Sequence, residues 1–192
     1  METRTCSKCG AQHDIETVAA VDAAAMPELK GRILDGSLFT WECPSCGQLN
    51  LASWPMMYHD ADARLLVVLT TAPMAAEDLP EGYTGRIVAS PGEMMEKIKI
   101  HEAGLSDMVV ELCKYVTCRE MEKDVELRFL KMDGADGEMT MACPVNGQME
   151  LLAVGGNVYQ DCAGILGRNP AIAESARGLV RVDRAWIQRF FE

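Results

Sequence analysis

Apolar residues recur at every second position in some stretches of this chain and at three- and four-residue spacing in others. Residues 13–21 place Ile15, Thr17, Ala19 and Val21 on one face and predict a strand. Residues 37–42, with Leu38, Phe39 and Trp41, predict a second strand, and residues 48–53 a third. Between the first two, residues 27–35 begin with Pro27 and are followed by Gly36, which is the punctuation of a short helix. Residues 64–70 form a continuous apolar run, the pattern of a strand covered on both faces. Residues 86–88 are a shorter strand.

The second half turns helical. Ser90-Pro91-Gly92-Glu93 has the form of a capping box with proline at the first helical position. The helix it opens runs to residue 102, with Met94, Met95 and Ile98 as its apolar side, and Gly104 ends it. A second helix starts near Ser106 and reaches residue 123. Leu105, Met108, Val109, Leu112, Cys113 and Val116 share its apolar face. Cys118 falls on the opposite face and is expected to be exposed.

Val125, Leu127 and Phe129 alternate along a strand, residues 133–137 read as a turn, and residues 138–143 return. Asn146-Gly147 is a hairpin signal leading into residues 148–154. Helices over 157–166 and from Pro170, a strand over 179–182, and a terminal helix follow. Asp183 caps that last helix, which is expected to bury Trp186, Ile187 and Phe190. The sum is an α+β chain: an N-terminal ribbon, two helices, a small antiparallel sheet and C-terminal helices. Residues 72–85, with their prolines, glycines and acidic side chains, suggest a boundary that divides the chain into 1–75 and 76–192.

Composition narrows the options. The 192 residues are 48% hydrophobic, enough to build a core. No run of about 18 apolar residues exists, so no membrane span is expected. The N-terminus runs into cysteines with no apolar segment; a signal peptide is not expected, and the cytoplasm is the default location. Net charge is −11, both parts are acidic and no basic run appears, which argues against binding nucleic acid by neutralising phosphates. A protein partner, basic in character, is electrostatically easier. Eight cysteines in a chain of this kind do not suggest a disulfide framework.

Four of the cysteines carry the clearest chemistry. Cys6-Ser7-Lys8-Cys9-Gly10 and Cys43-Pro44-Ser45-Cys46-Gly47 are two C-x-x-C-G turns. Such a turn lets two sulfurs reach one metal, and two turns supply the four ligands of a tetrahedral structural zinc site. The expectation is one zinc ion per chain on Cys6, Cys9, Cys43 and Cys46, with iron as the alternative that the same ligands can hold. A redox C-x-x-C should open a helix after a buried strand, whereas these pairs are flanked by polar turn residues.

The surrounding residues extend the match. Val21-Asp22, Pro27-Glu28-Leu29-Lys30, residues 33–39 from Ile33 to Phe39, the second knuckle, residues 54–60 from Trp54 to Asp60, Ser90-Pro91 and residues 102–107 together resemble the CpXC family, named for paired C-P-x-C motifs. The resemblance is strongest over residues 1–130. It implies a metal-binding N-terminal domain and brings no activity with it. Ser7 stands where the family usually has proline, which predicts a looser first knuckle.

Other candidates are weaker. His59 and Asp60 are adjacent, and a strand would send their side chains to opposite faces, so a structural role is expected rather than a dyad. His13 lies near the first knuckle; His101 has no evident partner. Cys113, Cys143 and Cys162 read as core thiols. Met94, Met95, Met108 and Met121 sit at helical spacing and read as core filling. No P-loop, G-x-S-x-G or H-E-x-x-H is present. The resulting expectation is a zinc-binding adaptor with no catalytic residues assigned. The rivals are an enzyme whose site lies within 76–192 and a zinc-linked thiol sensor.

Overall fold

The computed structural model describes residues 1–74, 79–133, 137–145 and 147–191. The chain opens with strands β1 (Glu2–Thr5) and β2 (Gln12–Ile15), which pair antiparallel, then β3 (Ala20–Asp22) and helix α1 (Pro27–Leu34). A 3-10 turn over Ser37–Phe39 precedes the antiparallel hairpin of β4 (Thr40–Glu42) and β5 (Leu49–Leu51). Strands β6 (Met56–Asp60), β7 (Leu65–Leu69) and β8 (Thr84–Val88) follow, then helices α2 (Pro91–Glu102) and α3 (Asp107–Glu120). Strands β9 (Arg128–Asp133), β10 (Glu138–Val145) and β11 (Gln148–Val154) form an antiparallel sheet. Helices α4 (Gly156–Gly167) and α5 (Pro170–Glu174), strand β12 (Leu179–Val180) and helix α6 (Arg184–Phe191) complete the chain.

The mixed helix and strand content and the small antiparallel sheets agree with the α+β reading. A larger element was not foreseen: a five-stranded sheet in the order β12-β8-β7-β6-β3. Only β6 and β7 in it are antiparallel; β3 pairs parallel with β6, β8 with β7, and β12 with β8. Strands β7 and β8, on either side of residues 72–83, pair with each other in this sheet. One core gathers Tyr58, Val67, Leu69, Met94 and Ile98 beneath this sheet; a second gathers Leu112, Phe129, Met141, Val154 and Ile187 between the β9–β11 sheet and α3, α4 and α6.

Several local expectations need correction. The strand expected over 13–21 is two strands, because β2 pairs with β1 while β3 joins β6. Residues 37–39 turn helically after Gly36, whose φ is 81°, so only 40–42 are extended. Strand β7 buries Leu65, Val67 and Leu69 but leaves Leu66 and Val68 half-buried, since its second face is not fully covered. Cys118 is buried at 7% exposure and its thiol donates to the Val125 carbonyl at 3.4 Å, because residues 125–127 pass over that side of α3. Phe190 is 37% exposed and packs edge-on against Trp186 at the surface. The turn over 134–136, and Asn146 of the hairpin signal, lie outside the described residues, although β10 and β11 pair as that signal requires.

Helix α2 shows why its apolar side looked narrow. Ser90 Oγ accepts from the Glu93 amide at 3.2 Å, and Glu93 Oε2 reaches back to the Ala89 amide at 2.8 Å, so a cap in the expected style starts the helix. The helix then runs between the two cores. Met94, Ile98 and Ile100 are buried, and so are Glu96 and Lys97. A helix with two covered faces has to bury part of its charged side as well.

Candidate metal centre

Each knuckle is built by a tight hairpin turn. The Cys6 amide bonds the Ala11 carbonyl at 2.9 Å and the Gly10 amide bonds the Cys6 carbonyl at 3.1 Å. The second knuckle repeats this, with Cys43 N–H to Gln48 O at 2.8 Å and Gly47 N–H to Cys43 O at 2.9 Å. Gly10 and Gly47 have φ of 74° and 68°, a region where a β-carbon is strained, so glycine is the residue that lets both turns close.

The folded chain brings the four sulfurs of Cys6, Cys9, Cys43 and Cys46 within 4.8 Å of one another. The contacts cross between knuckles: Cys6 to Cys46 and Cys9 to Cys43 are each 3.7 Å. A disulfide would need about 2.05 Å. Four sulfurs around a metal at about 2.3 Å stand about 3.8 Å apart along the edges of a tetrahedron. The donor set and its spacing therefore fit a thiophilic metal ion.

Electrostatics point the same way. Amide N–H groups of Cys9 and then Lys8 hold the Cys6 thiol down to about 6. At Cys46 the Gln48 amide pulls downward, but burial and the neighbouring thiols Cys9, Cys6 and Cys43 push it up to about 12. One thiolate thus forms readily and the next is opposed by it. Among the described residues no lysine or arginine side chain hydrogen-bonds to any of the four sulfurs. A bound cation would supply positive charge to these thiolates.

One supporting residue escaped the sequence reading. Asn50 is buried between exposed Leu49 and Leu51, the reverse of ordinary strand polarity. Its Oδ1 accepts from the Ser7 amide at 2.9 Å and from the Ser7 hydroxyl at 2.8 Å, and its Nδ2 lies 3.7 Å from Cys6 Sγ. The first knuckle is thus tied to β5 through Ser7 rather than left loose for want of a proline. The inverted Leu-Asn-Leu pattern four residues after Cys46 is the signal that marks it.

The histidines fall elsewhere. His13 Nε2 is 3.1 Å from the Ser45 hydroxyl and its ring meets Trp41 edge-on, so it braces the outside of the second knuckle. His59 stacks on Tyr83 and lies 3.6 Å from Asp22, while Asp60 takes Tyr58, Lys30 and the Ala63 amide. The two form no dyad. His101 Nε2 donates to the Ala63 carbonyl at 2.7 Å and ties α2 to the end of β6.

A second polar cluster joins β8, α2 and α3. Asp107 receives Arg86 through two bonds of 2.6 and 2.8 Å and lies 3.1 Å from Lys97. Lys97 also donates to Glu111 and to the Val182 carbonyl. Lys114 bridges Glu111 and Glu96, and Glu96 accepts the Phe129 amide at 2.6 Å. Burial would lower Lys97, but Asp107 and Glu111 outweigh it and hold the ammonium above its usual range. For Asp107, burial pushes upward and Lys97 and Arg86 override it, keeping the carboxylate well below its usual range. These groups stay charged as partners of one another.

Fold and site together define an α+β protein in which two glycine-closed knuckles gather four cysteines suited to a metal ion. The family model described as CpXC protein matches residues 5–114, and the chain belongs to the CpXC family. No curated protein and no solved structure matches the chain.

Proposed function

We propose that Cys6, Cys9, Cys43 and Cys46 bind one zinc ion as a closed structural site, and that the zinc-held ribbon is a protein-binding module. The observation that carries this reading is the crossed 3.7 Å sulfur spacing, with no cationic side chain hydrogen-bonded to the sulfurs among the described residues. The need for a metal follows from the strands. β1–β2 and β4–β5 are separate two-stranded sheets, and such hairpins are marginal alone in water. A shared ion cross-links them. Four protein ligands leave no open position for water, so the ion is not catalytic.

The surface beside the metal supports a binding role. Leu49 and Leu51, 61% and 84% exposed, stand on the outward face of β5. The partner is a basic protein, matched to a chain of net charge −11. No helix among the described residues is long and apolar enough to cross a membrane. Metal analysis of protein purified without added metal tests the first part: one zinc per chain is expected, and iron would replace zinc in the assignment. Leu51→Asp tests the second. It should abolish co-purification of a basic partner from the native cell while zinc content and melting stay unchanged; a retained partner would overturn the assignment of the surface.

A further inference from the structure

A cavity of about 290 Å³ opens between α2, α3, residues 125–128 and the start of α6. Its lining combines the charged cluster (Glu96, Lys97, Glu111, Lys114) with Arg128 and with apolar walls such as Val88 and Leu127. Small-molecule sites characteristically pair such walls with a few placed polar groups.

The polar groups at this cavity are not fully used. Glu111 is 3% exposed, and both its lysine contacts fall on Oε1. Its Oε2 has no hydrogen-bond partner among the described residues, and yet it is not sealed from solvent. Lys114 uses two of its three N–H bonds, one to Glu96 and one to Glu111. Arg128, at the rim, bonds Glu96 and Glu126 through its terminal nitrogens and retains further donors. An open carboxylate oxygen and open cationic donors therefore line the same cavity.

We propose that this cavity binds a zwitterionic α-amino acid with an apolar side chain. Its ammonium donates to Glu111 Oε2, its carboxylate accepts from Lys114 and Arg128, and its side chain lies against Val88 and Leu127. Charge balance favours that class. Of the charged groups lining the cavity, Lys97, Lys114 and Arg128 are matched by Glu111, Glu96 and Glu126, Arg184 is matched by Asp124, and Glu93 and Asp183 accept the Ala89 and Trp186 amides. A ligand with net charge would leave one buried charge uncompensated, and a zwitterion would not. The cavity lies among α2, α3 and α6 and does not involve the metal cluster, so this inference is independent of the zinc assignment.

Calorimetric titration of the full-length, metal-loaded chain with the common L-amino acids tests it. At least one aliphatic or aromatic amino acid is expected to bind. Its decarboxylated amine and its deaminated acid should each bind at least about tenfold more weakly, the worth of one charge-assisted hydrogen bond. Glu111→Gln should weaken binding of the amino acid by a similar factor. Should that variant fail to fold, the rim variant Arg128→Gln decides, with the same loss expected. Absence of binding by every amino acid to the folded wild-type protein would overturn the proposal. So would equal affinity for the amine or the acid alone, or unchanged affinity in a folded variant.

Discussion

At the knuckles, four thiols crowd one point with no cationic side chain bonded to them among the described residues. Between β8, α2 and α3, Arg86, Lys97 and Lys114 sit against Asp107, Glu111 and Glu96. Cys6 and Cys43 are buried, Cys46 is half-buried and Cys9 is exposed, whereas Arg86, Glu96, Lys97, Asp107 and Glu111 of the ion network all lie in the interior, where an uncompensated charge costs several kcal/mol. The second supplies its own counter-charges. The first would draw one from a bound metal ion. The contrast separates a site suited to a bound cation from a network whose charges are already paired within the chain.

Breaking each region should show the difference. The largest effect is expected for Cys43→Ser. It removes one of four ligands, abolishes tight metal binding and destabilises the N-terminal strands by ~4 kcal/mol or more, the range reserved for loss of a metal. Metal content and thermal unfolding measure this directly. Asp107→Ala comes next, because it strands Arg86 and part of Lys97; a loss of about 3–5 kcal/mol in urea unfolding is expected, with metal content unchanged. The double variant Arg86→Met, Asp107→Leu should recover part of that loss, since Arg86 is no longer an orphan charge and Lys97 keeps Glu111. No such double replacement at the knuckles would restore metal binding.

The ion network also sets pH limits. The folded-state value of Asp107 lies below the ordinary 3.8, so its contribution is present above that value and is lost as pH falls further. Lys97 is held above 10.5, so its contribution is present below that value and is lost as pH rises through the folded-state value. Unfolding free energy should therefore fall at both extremes, and Asp107→Asn should flatten the acid limb. At the metal site protons compete with the ion for thiolates, so metal release should begin at a higher pH than the network's acid loss.

Smaller effects sharpen the account of the first knuckle. Asn50→Ala leaves the Ser7 donors unpaired and is expected to cost about 1–3 kcal/mol and to weaken metal binding roughly 10- to 100-fold. Ser7→Pro restores the C-P-x-C form of the family motif. It nevertheless removes the amide that bonds Asn50, and a loss of ~1 kcal/mol is expected. A stabilising Ser7→Pro would show that the Asn50 contact matters less than the rigidity of the turn.

The two regions differ as much in legibility. Cys6 and Cys9, and Cys43 and Cys46, are separated by two residues within each turn and followed by glycine, so local spacing carried the chemistry. Arg86 and Asp107 are 21 residues apart, and Lys97 and Glu111 are 14 apart, with nothing local to couple them. On an isolated helix Glu96 and Lys97 resemble an ordinary solvated face. Only the placement of α2 between two cores buries them. Helices α1, α2 and α3 were legible because Pro27, Ser90 and the apolar face from Leu105 mark them. The five-stranded sheet was not, since β12 pairs in parallel with β8 across more than ninety residues, and two residues of strand leave little pattern. Asn50 was hidden for the opposite reason: in a strand, a polar residue between two leucines reads as the exposed one.

The most direct test of the central claim is amide hydrogen exchange on the full chain before and after chelation. With metal bound, the amides of Cys6, Gly10, Cys43 and Gly47 should be protected by their knuckle hydrogen bonds. After chelation those amides should exchange freely, while the Thr70 amide, bonded to Val88 in the five-stranded sheet, stays protected. Protein that contains no metal as purified, yet protects all five amides equally, would contradict the account.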